Sequence, residues 1–173
     1  MLGFMYENGK GVAPNRTKAI KWAGLAAAQG NMRALYDVAS MVRENHNYPE
    51  ALKWYAFGVE LGDYVSEYNL ADMYMEGQGV LQDYAEAEKL FRRSAAQGNP
   101  FAFEKLGIMY MKGQSVSKNY IYAHMWLNMA AAELTGDSVR KKRDNLANEM
   151  TPEDVNKAQA LARECVKKKY KDC

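Results

Sequence analysis

Leu70-Ala71-Asp72-Met73-Tyr74-Met75-Glu76-Gly77-Gln78-Gly79-Val80 and Leu106-Gly107-Ile108-Met109-Tyr110-Met111-Lys112-Gly113-Gln114-Ser115-Val116 carry one pattern twice, 36 residues apart. The same pattern stands at Leu2-Gly3-Phe4-Met5-Tyr6, leading into Gly9-Lys10-Gly11-Val12, and without its glycines at Val38-Ala39-Ser40-Met41-Val42. Three residues after Val12, Val80 and Val116 come Asn15, Asp83 and Asn119. Glycine relieves the left-handed backbone at a helix end, and a short Asn or Asp side chain accepts from the first N–H groups of the next helix. Each copy therefore predicts helix, tight turn, helix. A period of this length marks a stacked repeat, because one helix pair cannot bury its apolar face alone.

The second helix of each copy is equally regular. Ala19, Trp22, Ala26, Ala27 and Gly30 are echoed by Ala51, Trp54 and Gly62, by Ala87, Leu90, Ala95 and Gly98, and by Ala123, Trp126, Ala130 and Ala131. Three- and four-residue spacings put these side chains on one helical face, where small residues allow close approach and the large one fills the gap between layers. The tryptophans and the recurring tyrosines are accordingly expected in the core. Two copies depart from the pattern. Glu44-Asn45-His46-Asn47-Tyr48-Pro49 replaces a glycine turn with a shorter one, and the fourth copy reaches its glycine late, at Gly136. Two further helices are predicted over residues 137–149 and 152–168, the second opened by Thr151-Pro152-Glu153-Asp154, which combines an N-cap hydroxyl, a first-turn proline and two acids against the helix dipole. The expected organisation is four repeats over residues 1–136, the first truncated and the second shortened, followed by a polar capping helix pair over 137–173. The fold class is all-α, an α/α superhelical solenoid of helix-turn-helix repeats. The first copy enters mid-helix, which reads either as a piece of a longer chain, its leader peptide and first helix lying upstream, or as a short, frayed first helix.

Composition supports helix: 173 residues with 12 Tyr, 11 Met and only 4 Pro. The net charge of +2 divides into −1 over residues 1–136 and +3 over 137–173, the excess lying in Arg140-Lys141-Lys142-Arg143 and around Lys167-Lys168-Lys169. Neither cluster interleaves aromatic residues as a base-stacking platform does, so both read as solvated helix faces rather than nucleic-acid or membrane-surface sites. No uncharged apolar run approaches the roughly 18 residues that span a bilayer, and Met1-Leu2-Gly3-Phe4 lacks the basic start of a secretory signal.

Residues that could carry chemistry are scattered. His46 lies in the short turn and His124 in a second helix, where it occupies the slot of Glu88, read as a surface position. Ser115-Val116-Ser117-Lys118 contains a Ser-x-x-Lys, but it aligns with the turn Gly79-Val80-Leu81-Gln82. The Gly-x-Gly-Val turns follow helices rather than strands, unlike a phosphate loop. No metal, cofactor, small-molecule substrate or catalytic constellation is expected. A turn near Lys169-Tyr170 would bring Cys165 and Cys173 together, as a bridge or as two thiols.

Leu-Gly-x-Met-Tyr, Gly-x-Gly-Val, Asn/Asp, Ala-x-x-Trp and Ala-Ala-x-x-Gly, in register across residues 1–136, resemble the Sel-one-like repeats, relatives of the tetratricopeptide repeats. The tail from Ala130 through Arg163 is similar to the end of bacterial members. The resemblance implies an adaptor or scaffold that binds a protein or peptide in a concave groove. It also implies a disulfide between Cys165 and Cys173 and, with it, a periplasmic or secreted location, with the cytoplasm as the alternative. By analogy with tetratricopeptide repeats the first helices line the groove. The candidates are then Phe4 in the first copy, Arg33, Tyr36, Ser40 and Arg43 in the second, Tyr68, Asp72 and Met75 in the third, and Glu104, Ile108 and Met111 in the fourth. An immunity or inhibitor protein that sequesters a bacterial effector is the alternative role. A β-lactam-binding enzyme, suggested by cysteine-rich relatives, finds no motif in this chain.

Overall fold

Short polar side chains start most helices of this protein, and left-handed residues end most of them. Asn15 Oδ1 accepts from the backbone N–H of Lys18 at 3.0 Å, Asp83 from Ala85 and Glu86, and Asn119 from Ile121 and Tyr122. Asn31, Asp63 and Asn99 cap the alternate helices in the same way, each directly after a left-handed glycine. The structure is a computed structural model that describes residues 2–173. Among the described residues it holds ten α-helices and no strand.

The helices fall into two units that divide after Gln82. The first contains α1 (Leu2–Asn8), α2 (Arg16–Ala28), α3 (Met32–Glu44), α4 (Tyr48–Glu60) and α5 (Tyr64–Glu76), each packed on the next. The second contains α6 (Tyr84–Ala96), α7 (Pro100–Lys112), α8 (Tyr120–Glu133), α9 (Asp137–Asn148) and α10 (Pro152–Lys167). There α6 packs on α7 and α7 on α8, while α9 and α10 both lie against α8.

Small residues make the seams. Ala19, Ala27, Ala51, Ala87, Ala95, Ala123 and Ala130 are fully buried, as are Met73 and Met109 of the Met-Tyr pairs. The crossing of α4 and α5 is tight enough that a Cβ on Gly58 would lie 2.0 Å from Ser66 Oγ and 3.1 Å from Leu35 Cδ2.

Several expectations need correction. Of the tryptophans only Trp126 is core, stacked on Phe103 with ring centroids 5.9 Å apart. Trp54 is half-buried against Gly24 of α2, while Trp22 is 40% exposed and lines an open apolar cavity with Leu2, Phe4 and Leu25. The recurring Tyr6, Tyr74 and Tyr110 are half-buried rather than core; beside Tyr74 and Tyr110 it is Met73 and Met109 that take the buried position. The glycine-free turn keeps the left-handed step but gives it to His46, with φ 58°. In the fourth copy Ser115 takes φ 68° where the third has Gly79, and Ser115 Oγ donates to Glu88 Oε2 at 2.5 Å. Gly136 does not end α8 as a left-handed residue. It is extended, φ −78° and ψ 145°, and precedes α9 as its N-cap, since Leu134 has already turned the chain out of the helix.

Gly58→Ala tests the close crossing. The clash with Ser66 outweighs the roughly 1 kcal/mol that alanine gains in helix propensity, leaving a net loss of about 1–2 kcal/mol. The variant's urea midpoint should fall accordingly, and an unchanged midpoint would contradict the packing of α4 on α5.

Candidate functional site

On α3, Tyr36, Ser40 and Arg43 follow at four- and three-residue steps and so share one face. In the first unit that face meets Tyr55 of α4, Asn69 of α5 and Gln78 of the following turn around a cavity of about 380 Å³. Arg43 organises its wall. Its Nη2 donates to Asp72 Oδ2 at 2.8 Å, its Nε to Gln78 Oε1 at 2.8 Å, and its Nη1 reaches Asn69 Oδ1 at 3.5 Å. Both members of the Arg43–Asp72 pair are largely shielded, with side chains 22% and 16% exposed. Burial disfavours the guanidinium's charge, but the hydrogen bond and the proximity of Asp72 outweigh it and hold the group above its ordinary value. Tyr55 is pushed up chiefly by burial, partly offset by its hydrogen bond with Ser40 and the charge of Arg43. At the rim His46 Nδ1 and the Tyr48 hydroxyl share a hydrogen bond at 2.9 Å. Arg43 is thus a clamp between α3 and α5 as much as a groove cation.

The sequence candidates are distributed among several places. Tyr36, Ser40 and Arg43 come together at this cavity, with Asp72 joined through the clamp. Tyr68 and Met75 are half-buried elsewhere on α5. Phe4 and Arg33 instead line the apolar cavity of about 680 Å³ that also holds Trp22, and Arg33 pairs with Asp37 at 3.1 Å. In the second unit Ile108 and Met111 are half-buried on α7, and Glu104 accepts from Lys142 Nζ at 2.6 Å. Lys142 therefore ties α9 to α7, and part of the basic run read as a solvated face holds α9 in place. Tyr55, Asn69 and Gln78 escaped the sequence reading. Tyr55 stands beside the conspicuous Trp54, and Gln78 sits between two turn glycines, with Gln114 at the matching slot of the next copy.

His124 is not at the surface. It is 2% exposed on α8, and its Nδ1 has no hydrogen-bond partner among the described residues. Burial depresses its proton affinity first, the nearby Arg143 of α9 adds to this, and Asp144 partly opposes it. Helix α9 packs on α8, whereas Glu88, at the matching position one copy earlier, keeps its side chain 14% exposed and paired with Arg92. Among the described residues no group of three or more His, Cys, Asp or Glu could hold a metal ion, and no helix is long and apolar enough to cross a membrane. Cys165 and Cys173 are joined by a disulfide, their Cα atoms 5.5 Å apart.

Comparison with known proteins adds to this geometry. The sequence profile of the Sel1 repeat matches residues 1–31, 34–63, 65–99 and 104–133. A sel1-like repeat-containing protein of Acanthamoeba polyphaga mimivirus is 31% identical over 97 residues, which is 56% of this chain and 18% of the viral protein. Among solved structures, the protective antigen c5321 of uropathogenic Escherichia coli, with an SLR fold, matches at TM-score 0.86 and 24% identity over 98% of this chain and 38% of its own. A Sel1 repeat protein from Oxalobacter formigenes matches at TM-score 0.73 and 25% identity over 95% of this chain and 71% of its own. The fold is an all-α helical-repeat solenoid. The chain spans only a minor part of the viral and Escherichia coli proteins.

Two measurements follow. Asp72→Ala leaves the shielded Arg43 without its carboxylate and should cost about 1–3 kcal/mol. Arg33→Ala, which removes an i,i+4 pair whose arginine is 83% exposed, should change stability by less than about 0.5 kcal/mol. Equal costs in urea unfolding would contradict the clamp. His124 binds its proton more weakly folded than unfolded, so the second unit should lose stability as pH falls below the ordinary value of 6.5. The melting temperature measured at about pH 7.5 and 5.5 should drop less in His124→Phe than in the parent, and an identical drop would count against a buried neutral imidazole.

Proposed function

The chain belongs to the Sel1 repeat family, whose members are generally non-enzymatic protein-interaction modules, and on that premise we propose that it docks a protein or peptide segment on the α3–α5 face of the first unit. The observation that carries this reading is the Tyr36–Arg43 cleft. Tyr36 is 41% exposed and offers a large, rigid contact surface at low entropic cost. The Arg43 clamp fixes the wall behind it, so little ordering remains to be done when a segment binds. A volume of about 380 Å³ lies at the low end of ligand pockets, with room for side chains of a docked segment. The face is polar where Ser40, Asn69 and Gln78 line it, which suits the N–H and C=O groups of an extended or helical peptide.

An adaptor or scaffold role follows from such docking. The Cys165–Cys173 bridge supports an envelope or secreted setting, because disulfides persist in oxidising compartments.

Charge reversal at Arg43 is a poor probe, since it would also break the clamp. Peptides selected from a display library on the full chain provide a better one. Tyr36→Ala should weaken the selected peptides by about ten-fold or more with unchanged helical circular dichroism, while Phe4→Ala, in the other cavity, should bind as the parent does. The opposite ranking would move the docking face to the Trp22 cavity and overturn this assignment.

A further inference from the structure

Residues 168–173, after α10, fold back on the second unit. Lys169, Tyr170 and Asp172 take φ of 53, 64 and 53°, a left-handed backbone that residues other than glycine adopt when their surroundings over-determine it. Two constraints impose it here. The Cys165–Cys173 bridge closes the tail onto α10, and Tyr170 is seated on aromatic and glycine surface. Its ring lies 5.0 Å from that of Phe103 between centroids, and its Cε2 lies 3.4 Å from where a Cβ on Gly98 would stand. Phe103 in turn stacks on Trp126, whose indole Nε1 is buried without a hydrogen-bond partner among the described residues. Beside them is a cavity of about 350 Å³, with Tyr170, Asp172 and Cys173 forming one side and Arg92, Arg93, Ala96 and Trp126 lining the rest.

We infer that this tail is a redox-controlled strap: the intact bridge holds Tyr170 on Gly98 and Phe103, and its reduction releases the tail and opens the Trp126 cavity. The reductant is a dithiol, either a protein dithiol oxidoreductase or a small-molecule dithiol. Its thiolate attacks Sγ of Cys173, the more accessible of the two sulphurs because Cys165 is 3% exposed. The Sγ–Sγ bond breaks, and Cys165 leaves as a thiolate that takes a proton. The reductant's second thiol then displaces Cys173 from the mixed disulfide, so that two electrons and two protons end on the protein and the reductant leaves as its own disulfide. With the bridge severed, the left-handed residues return to the favoured region and draw Tyr170 off its seat.

Hydrogen exchange read by mass spectrometry on the full chain tests the strap. It compares the oxidised protein, the protein reduced with dithiothreitol and checked by thiol alkylation, the Cys165→Ser/Cys173→Ser double variant, and Tyr170→Ala with the bridge intact. Amides from about residue 96 to 103, which bracket Gly98 and Phe103, should exchange about ten-fold faster in the last three than in the first, with α8 still protected. Unchanged exchange there in the double variant would overturn the strap. Loss of protection throughout α6–α10 would overturn it too, by making the bridge a staple of the whole unit.

Discussion

The interaction on which this molecule depends is the close contact of small residues where one helix crosses the next. Ala19, Ala51, Ala87 and Ala123 are each fully buried at the same place in four successive second helices. A side chain that ends at Cβ lets backbones approach, and the tight fit gathers dispersion contacts that no isolated helix pair could make. Gly58 against Ser66 and Gly107 against Leu127 carry this further: in each place a Cβ would stand closer than 3 Å to a neighbouring side chain. Bulk is then needed between the seams, where Met73, Met109, Phe91 and Phe103 supply it.

Such seams leave the polar outer residues of the helices to decide what each copy does. In the second copy the face of α3 is occupied by a clamp, Arg43 reaching across to Asp72 and Gln78. A guanidinium satisfied by planar, shielded partners is a rigid wall rather than a mobile charge. That rigidity is what the proposed docking rests on, since a partner would meet a cleft already ordered. The fourth copy treats the equivalent ground differently. There Glu104 is engaged by Lys142 from α9, so α9 engages a position that in the second copy is held by the half-open Tyr36.

Helices α9 and α10 also change the meaning of individual residues. His124 stands where Glu88 stands one copy earlier, yet α9 and α10 pack on its helix, and a position whose carboxylate is 14% exposed and paired with Arg92 in one copy becomes fully buried in the next. A carboxylate there would have required a partner, whereas an imidazole can lose its proton and remain neutral. The tail beyond α10 repeats this logic with covalent help, the bridge to Cys165 keeping Tyr170 over Gly98.

Helix positions, caps and turn residues were legible in the sequence because they depend on neighbours a few residues away. The two helices predicted over residues 137–149 and 152–168 run Asp137–Asn148 and Pro152–Lys167, and Asn15, Asp83, Asn119 and Thr151 cap as their chemistry requires. The register of buried alanines was legible for the same reason, since helical periodicity is a local rule. The tryptophans were not. Identical spacing places Trp22, Trp54 and Trp126 alike on their own helices, but whether each is covered depends on what another helix presents: Trp126 is buried against Phe103, while Trp22 stays 40% exposed. The clamp joins residues 29 apart and the Lys142–Glu104 pair residues 38 apart. Tertiary structure alone decides such contacts, because no local pattern encodes which distant side chain will lie within hydrogen-bonding reach.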